Sequence, residues 1–140
     1  APLQAQTPEI DALRARAEQG DVDAQFVLGR KYDAGRDIPQ DHAGATRWYR
    51  LAADQGVADA QYFLGVLYWT GQGVPQDYVQ AHMWHNLAAA RSTAEEDPWG
   101  EMRERAVRER DRVAGQMTPT QIAEAQRLAH EWGHAHPREP

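Results

Sequence analysis

The sequence predicts an all-α protein, an array of helical hairpins stacked side by side. Three observations lead there. Residues 20–55 are followed by 56–91 with no gap, and the two stretches agree at sixteen of thirty-six positions. A fixed period of this size marks stacked copies of one supersecondary unit. Within each copy the apolar residues fall at helical spacing, and glycine, proline and aspartate recur where a hairpin must turn.

Each element can be justified in turn. Thr7 suits an N-cap, Pro8 the first helical turn and Glu9 the positive end of the helix dipole. Ile10, Leu13 and Ala17 then share one face, and Gly20 ends the segment. One period back from the later copies, 8–19 takes the place of the second helix of a hairpin, a half repeat covering the N-terminal end. The first full hairpin, in repeat 20–55, has helices over 22–33 and 41–54. Gly35 permits a left-handed backbone at the end of the first. Pro39 holds its predecessor out of the helical region, Asp41 caps the second, and Ile38 is placed to plug the hairpin. The second hairpin, in repeat 56–91, has helices over 58–70 and 77–91, with Gly71, Val74, Pro75 and Asp77 repeating the turn.

Small residues recur at Ala24/Ala60, Gly29/Gly65 and Ala45/Ala81, which lets helices approach closely. Leu28/Leu64, Tyr32/Tyr68, Trp48/Trp84 and Leu51/Leu87 fill the remaining space, and 51–53 and 87–89 are expected to form seams against the next helix. The period fails after Arg91. Residues 92–133 read as a divergent capping hairpin, with helices over 99–117 and from Pro119 to about 132, the latter opened by a capping box at Thr118 and Gln121. Residues 1–7 and 134–140 read as a disordered lead and tail.

Composition narrows the function. The chain has 140 residues, enough for one domain with a core, and no apolar run long enough to span a bilayer. The net charge of −6 argues against nucleic acid, and the mixed-sign run RERAVRERDR at 103–112 reads as a solvated helix face. The absence of cysteine removes disulfides, thiolate zinc sites and a cysteine nucleophile. The chain opens Ala1-Pro2-Leu3 without methionine, which fits the mature end of a periplasmic or secreted protein; a trimmed cytoplasmic chain is the alternative.

The repeated strings are similar to the Sel1-like repeat, a relative of the tetratricopeptide repeat. The pattern A-x-x-x-L-G-x-x-Y-x-x-G reads Ala60, Leu64, Gly65, Tyr68 and Gly71. It continues as V-P-Q-D at 74–77 and A-x-x-W-x-x-x-A-A at Ala81, Trp84, Ala88 and Ala89. The first copy departs at Asp37, where the second has Gly73, and at Ile38, where the second has Val74. The resemblance covers 20–91 tightly and implies a right-handed α-solenoid that binds proteins or peptides without a cofactor. Bacterial members of this kind act as exported adaptors, envelope-assembly factors or immunity proteins that neutralise a toxin.

On such an array the first helix of each hairpin lines the inner curve. Phase places Asp23, Phe26, Arg30 and Asp33 there, and one period on Asp59, Tyr62, Val66 and Trp69. Apart from the Asp23/Asp59 pair these positions vary between copies, so Phe26, Arg30, Asp33, Tyr62, Val66 and Trp69 are the expected partner-binding residues. Aromatic anchors flanked by charge are what an interface uses. The acidic chain would suit a partner with a basic patch, and a monomer or weak oligomer is expected.

Two histidine patterns compete with this reading. The string His130-Glu131-Trp132-Gly133-His134 matches H-E-x-x-H, the basis of an alternative reading as a zinc-dependent hydrolase. Gly133 is expected to end the helix before His134, and no third ligand is evident although His136 is close. His82 and His85 lie three apart on a helix, where a packed surface is the commoner setting. No catalytic residue, metal ligand or cofactor is therefore expected.

Overall fold

The computed structural model describes residues 7–138 and, among them, seven helices and no strand. The lead at 1–6 and the last two residues lie outside the described part. The first five helices are α1 (Pro8–Glu18), α2 (Val22–Ala34), α3 (His42–Asp54), α4 (Ala58–Thr70) and α5 (Tyr78–Arg91). Their ends follow the predicted chemistry. Thr7, Asp41 and Asp77 accept from backbone amides at the starts of α1, α3 and α5, and Asp21, not among the predicted caps, does the same for α2. Gly35 and Gly71 close α2 and α4 in the left-handed region, at φ 68° and 73°. Ile38 is buried, as a plug should be, and Val74, its counterpart, is half-buried.

The period recurs in hydrogen bonds as well as in residue identity. The buried Gln25 donates to the Ala17 carbonyl and Gln61 to the Ala53 carbonyl, both at 3.1 Å. Each satisfies a carbonyl at the end of the preceding helix that has no partner within it. The amides of Asp41 and Asp77 donate to the Tyr32 and Tyr68 carbonyls, both at 2.9 Å. Arg14 donates to the Tyr32 hydroxyl at 2.9 Å and Arg50 to the Tyr68 hydroxyl at 3.3 Å. In this respect α1 stands to α2 as α3 stands to α4.

Close packing rests on the small residues. Ala24, Ala45, Ala60 and Ala81 are fully buried, with Leu28 and Leu64 beside them. A Cβ added at Gly29 would lie 2.7 Å from Tyr49 Cδ1, and one at Gly65 would lie 2.6 Å from His85 Cδ2 and Nε2. Positions 49 and 85 are one period apart, so each ring of the outer helix lies on the glycine of its own hairpin. The His85 ring is fully buried and held by Tyr62, with ring centroids 5.4 Å apart. Gly65→Ala is accordingly expected to destabilise the chain by about 2 kcal/mol, since overpacking outweighs the gain in helix propensity. Urea unfolding with His85→Ala in the background checks this, because removing the ring should abolish most of the cost.

The C-terminal part departs from the expected hairpin. The helix predicted over 99–117 is α6 (Glu101–Ala114), shorter at both ends, and the last helix is α7 (Pro119–Ala135). Trp99 precedes α6 and is 85% exposed, so it contributes nothing to the core. Asp97 explains the later start: its carboxylate accepts from the amides of Met102 and Arg103 at 3.2 and 3.0 Å. Burial works against that charge, but these amides and the Ser92 hydroxyl outweigh it and hold the carboxyl below its ordinary pKa. α6 and α7 each pack on α5 and scarcely touch one another. They straddle α5, with Trp132 edge-on to Trp84 at 6.1 Å.

Two further expectations change. α7 runs through Gly133 to Ala135, opened by the predicted capping box of Thr118 and Gln121. The segment beyond it is docked as far as it is described: His136 stacks on Trp132 at 4.0 Å and its carbonyl accepts from Arg91. Leu51, expected in a seam, is 43% exposed. Its counterpart Leu87 is buried in the cluster that takes in Ala129 of α7.

Candidate functional site

The first helix of each hairpin, α2 and α4, carries the residues expected on the inner face. Phe26 meets Phe63 across the two helices at 6.1 Å and Tyr49 of α3 at 6.0 Å. Phe63 stacks on Tyr49 at 5.7 Å and meets Tyr62 edge-on at 5.3 Å. The result is a continuous aromatic floor running from α2 to α4. Over it lies the Arg30 guanidinium, 4.6 Å from the Phe63 centroid and 6.0 Å from that of Phe26. Arg30 is exposed and Phe26 and Phe63 are half-buried, so this cation–π platform is open to solvent.

The other expected residues are placed differently. Asp33 is half-buried and committed within the chain: its carboxylate accepts from the Tyr49 hydroxyl at 3.1 Å and lies 3.0 Å from His42 Nδ1. Burial, followed by the Asp33 charge, pushes the Tyr49 hydroxyl well above its ordinary pKa. Tyr62 is buried rather than open, in a cluster with Ala88, Ala89 and Ala106 of α6, and Val66 packs at its margin. Trp69 is half-buried beside the far end of α6, its indole N–H donating to Gln116 at 3.4 Å with the Arg112 guanidinium 5.8 Å from the ring. The physical reason is common to all three. α6 follows α5 as a third inner helix and covers the part of α4 that repeats 20–91, read alone, would leave bare.

Next to the platform is a cavity of about 340 Å³ between the N-terminal ends of α2 and α4 and the segment before α6, with Phe26, Val57 and Met102 among its apolar walls. Asp23, Asp59, Glu96 and Asp97 supply its acidic rim. Burial, then repulsion from Glu96 and Asp97, raises the Asp59 pKa, with Arg30 and Arg105 partly opposing it. A second hollow of about 280 Å³ lies on the other side of Phe26, against Val27, Arg30 and Arg36. Sequence phase does not place Phe63, Met102 or Glu96 among the expected binding residues; Met102 reads as an inner-side residue of the 99–117 helix and Glu96 as part of an acidic run before it. Phe63 had a usable signal, since Val27 stands one period before it and the pair varies as Phe26 and Tyr62 do. Met102 and Glu96 lie beyond the repeats and had no such pairing.

A family profile described as Sel1 repeat matches residues 22–57 and 58–92. The chain belongs to the Sel1 repeat family. Its hairpins and its fold are similar to two solved structures. One is c5321, a protective antigen present in uropathogenic Escherichia coli strains displaying an SLR fold, at TM-score 0.79 and 30% identity over 90% of this chain. This chain spans only 25% of that protein's length. The other is a Sel1 repeat protein from Oxalobacter formigenes, at TM-score 0.55 and 28% identity, covering 90% of this chain and 100% of that one. No curated protein matches the sequence. The Sel1 repeat is a scaffold fold that mediates protein–protein interaction, and this member presents the architecture in two full hairpins.

The histidines resolve into two settings. His82 and His85 are buried, and burial lowers both pKa values, that of His85 to about 4. Both His85 nitrogens and His82 Nδ1 are sealed from solvent, so the pair is not placed to share an ion. His130 and His134, by contrast, lie on one exposed face of α7 because the helix continues through Gly133. Glu131 is held by Arg127, and His136 is turned away, stacked on Trp132 with Nδ1 2.8 Å from the Trp132 carbonyl. Among the described residues, no group of three or more His, Cys, Asp or Glu is placed to hold a metal. The H-E-x-x-H string thus lacks the third ligand that a catalytic zinc site requires.

Proposed function

We propose that this Sel1 repeat protein binds another protein or peptide on its inner face, without chemistry, and that the binding surface is the open stretch around Phe26, Arg30 and Phe63. The observation that carries the reading is the solvent-open cation–π platform on helices whose scaffolding residues otherwise recur. A half-buried aromatic pair with an arginine above it supplies apolar area and orientation together. The adjoining rim of Asp23, Asp59 and Glu96 favours a partner carrying a basic side chain, which would relieve the repulsion around Asp59. Tyr62, Val66 and Trp69 act in this reading by holding α6 in place, and Asp33 by orienting Tyr49.

An exported adaptor is the role we favour, supported by the similarity to a protein described as a protective antigen. A toxin-neutralising immunity protein is the competing role, distinguished by stoichiometric inhibition of a co-encoded toxin. The test uses the full chain as bait beside Phe26→Ala and Arg30→Glu, followed by affinity measurement with the purified partner. Each variant is expected to weaken binding at least tenfold while leaving the thermal midpoint within a few degrees of wild type. Retention of the same partner at undiminished affinity by both variants would remove the inner face from the function.

A further inference from the structure

The exposed histidine pair on α7 has a geometry that neither the fold nor the proposed binding surface requires. His130 and His134 are one helical turn apart, and their Nε2 atoms approach to 3.1 Å, with ring centroids 4.6 Å apart at 74°. Imidazole nitrogens bind late first-row metal ions at roughly 2.0–2.1 Å. At that bond length two nitrogens 3.1 Å apart subtend about 98° at a shared ion. This lies between the right angle of square-planar or octahedral coordination and the tetrahedral angle. Both rings are exposed, so an ion can reach them and complete its shell with water. Among the described residues nothing else claims these nitrogens, since Glu131 is tied to Arg127 and His136 is stacked on Trp132.

From this geometry we propose that His130 and His134 form a two-ligand chelate for a divalent late transition-metal ion of the nickel, copper and zinc class, with water in the open positions. The site is one of binding, not of hydrolysis, because a third protein ligand is missing. Its physical effect falls on the C-terminal turns of α7. An ion held by both rings links residues one turn apart across Gly133, where helix propensity is poorest. The same turns carry Trp132 against Trp84 and His136 against Arg91, so the ion would stiffen the element that covers the outer side of α5.

The test is calorimetric titration of the full, untagged chain with Ni²⁺, alongside His130→Ala, His134→Ala and His136→Ala. Wild type is expected to bind one ion, and each of the first two variants to lose at least tenfold in affinity while His136→Ala retains it. Thermal melts give an independent readout: saturating Ni²⁺ should raise the midpoint of wild type and of His136→Ala but not of the other two. Alanine is tolerated at both exposed helical positions, so circular dichroism should show all variants folded. Equal Ni²⁺ affinity in His130→Ala and wild type would overturn the proposal, as would an equal loss in His136→Ala.

Discussion

Gly73→Ala is expected to lower the stability of the chain by about 3 kcal/mol, the sum of a left-handed backbone penalty and a steric overlap. Gly73 sits at φ 78° in the turn between α4 and α5. A Cβ there would lie 2.3 Å from the His42 carbonyl oxygen and 2.8 Å from the Ala43 amide nitrogen. These are backbone atoms at the start of α3, in the preceding hairpin, and they cannot rotate aside. The turn of one repeat thus rests directly on the helix start of the one before it. The counterpart one period earlier is Asp37, also left-handed at φ 70°, whose side chain reaches out to Lys31 at 2.8 Å. Aspartate tolerates that backbone, and there its Cβ points to solvent. Urea unfolding of Gly73→Ala beside Asp37→Gly separates the two contributions. A large loss in the first and a midpoint near wild type in the second are expected, whereas equal effects would refute the contact at His42.

Stability is expected to fall by about 3 kcal/mol between neutral pH and pH 4 because of His85 alone. Its ring is fully buried, and burial, only partly opposed by the Tyr62 backbone, brings its pKa from 6.5 down to about 4. The unfolded chain takes up the proton first. The contribution of the neutral ring is therefore complete above about 6.5, declines as pH falls, and is fully lost once pH passes below about 4, where the folded state is protonated too. His82 adds a loss of the same sign, its pKa also lowered by burial and then by Arg110. The measurement is unfolding free energy across this range for wild type and His85→Phe. Phenylalanine keeps an aromatic ring over Gly65, as Tyr49 does over Gly29, and removes the proton site. Its pH profile should be flatter than that of wild type by the His85 contribution, and parallel profiles would refute the assignment.

Repeat pairing made residues 20–91 legible because the same physical demands are met twice. Asp41 and Asp77 cap, Gly35 and Gly71 stop, and Gly29 and Gly65 admit a ring, each pair serving one local geometry. Helix ends there follow the sequence within a residue. The inner face was less legible. Phase alone put Tyr62, Val66 and Trp69 on it, and they do point that way, but α6 lies across them. Asp33 failed to stay free for a different reason: Tyr49 and His42 reach it from the outer helix, and nothing in the spacing of α2 announces them.

The histidines of α7 show the same division from the other side. Helix propensity argued for an end at Gly133, and tertiary contacts overrode it. Trp132 against Trp84 and His136 held by Arg91 stabilise the last turn beyond what glycine costs it. That continuation is what brings His130 and His134 together. By itself, then, the sequence determined the hairpins, their turns and their close-packed seams, because caps, left-handed glycines and small residues act over a few neighbouring positions. Only the tertiary structure decided which aromatic residues stay open to a partner and which histidines meet. Those outcomes depend on where α6 and α7 settle around α5, and that is governed by burial between segments with no repeat to reveal it.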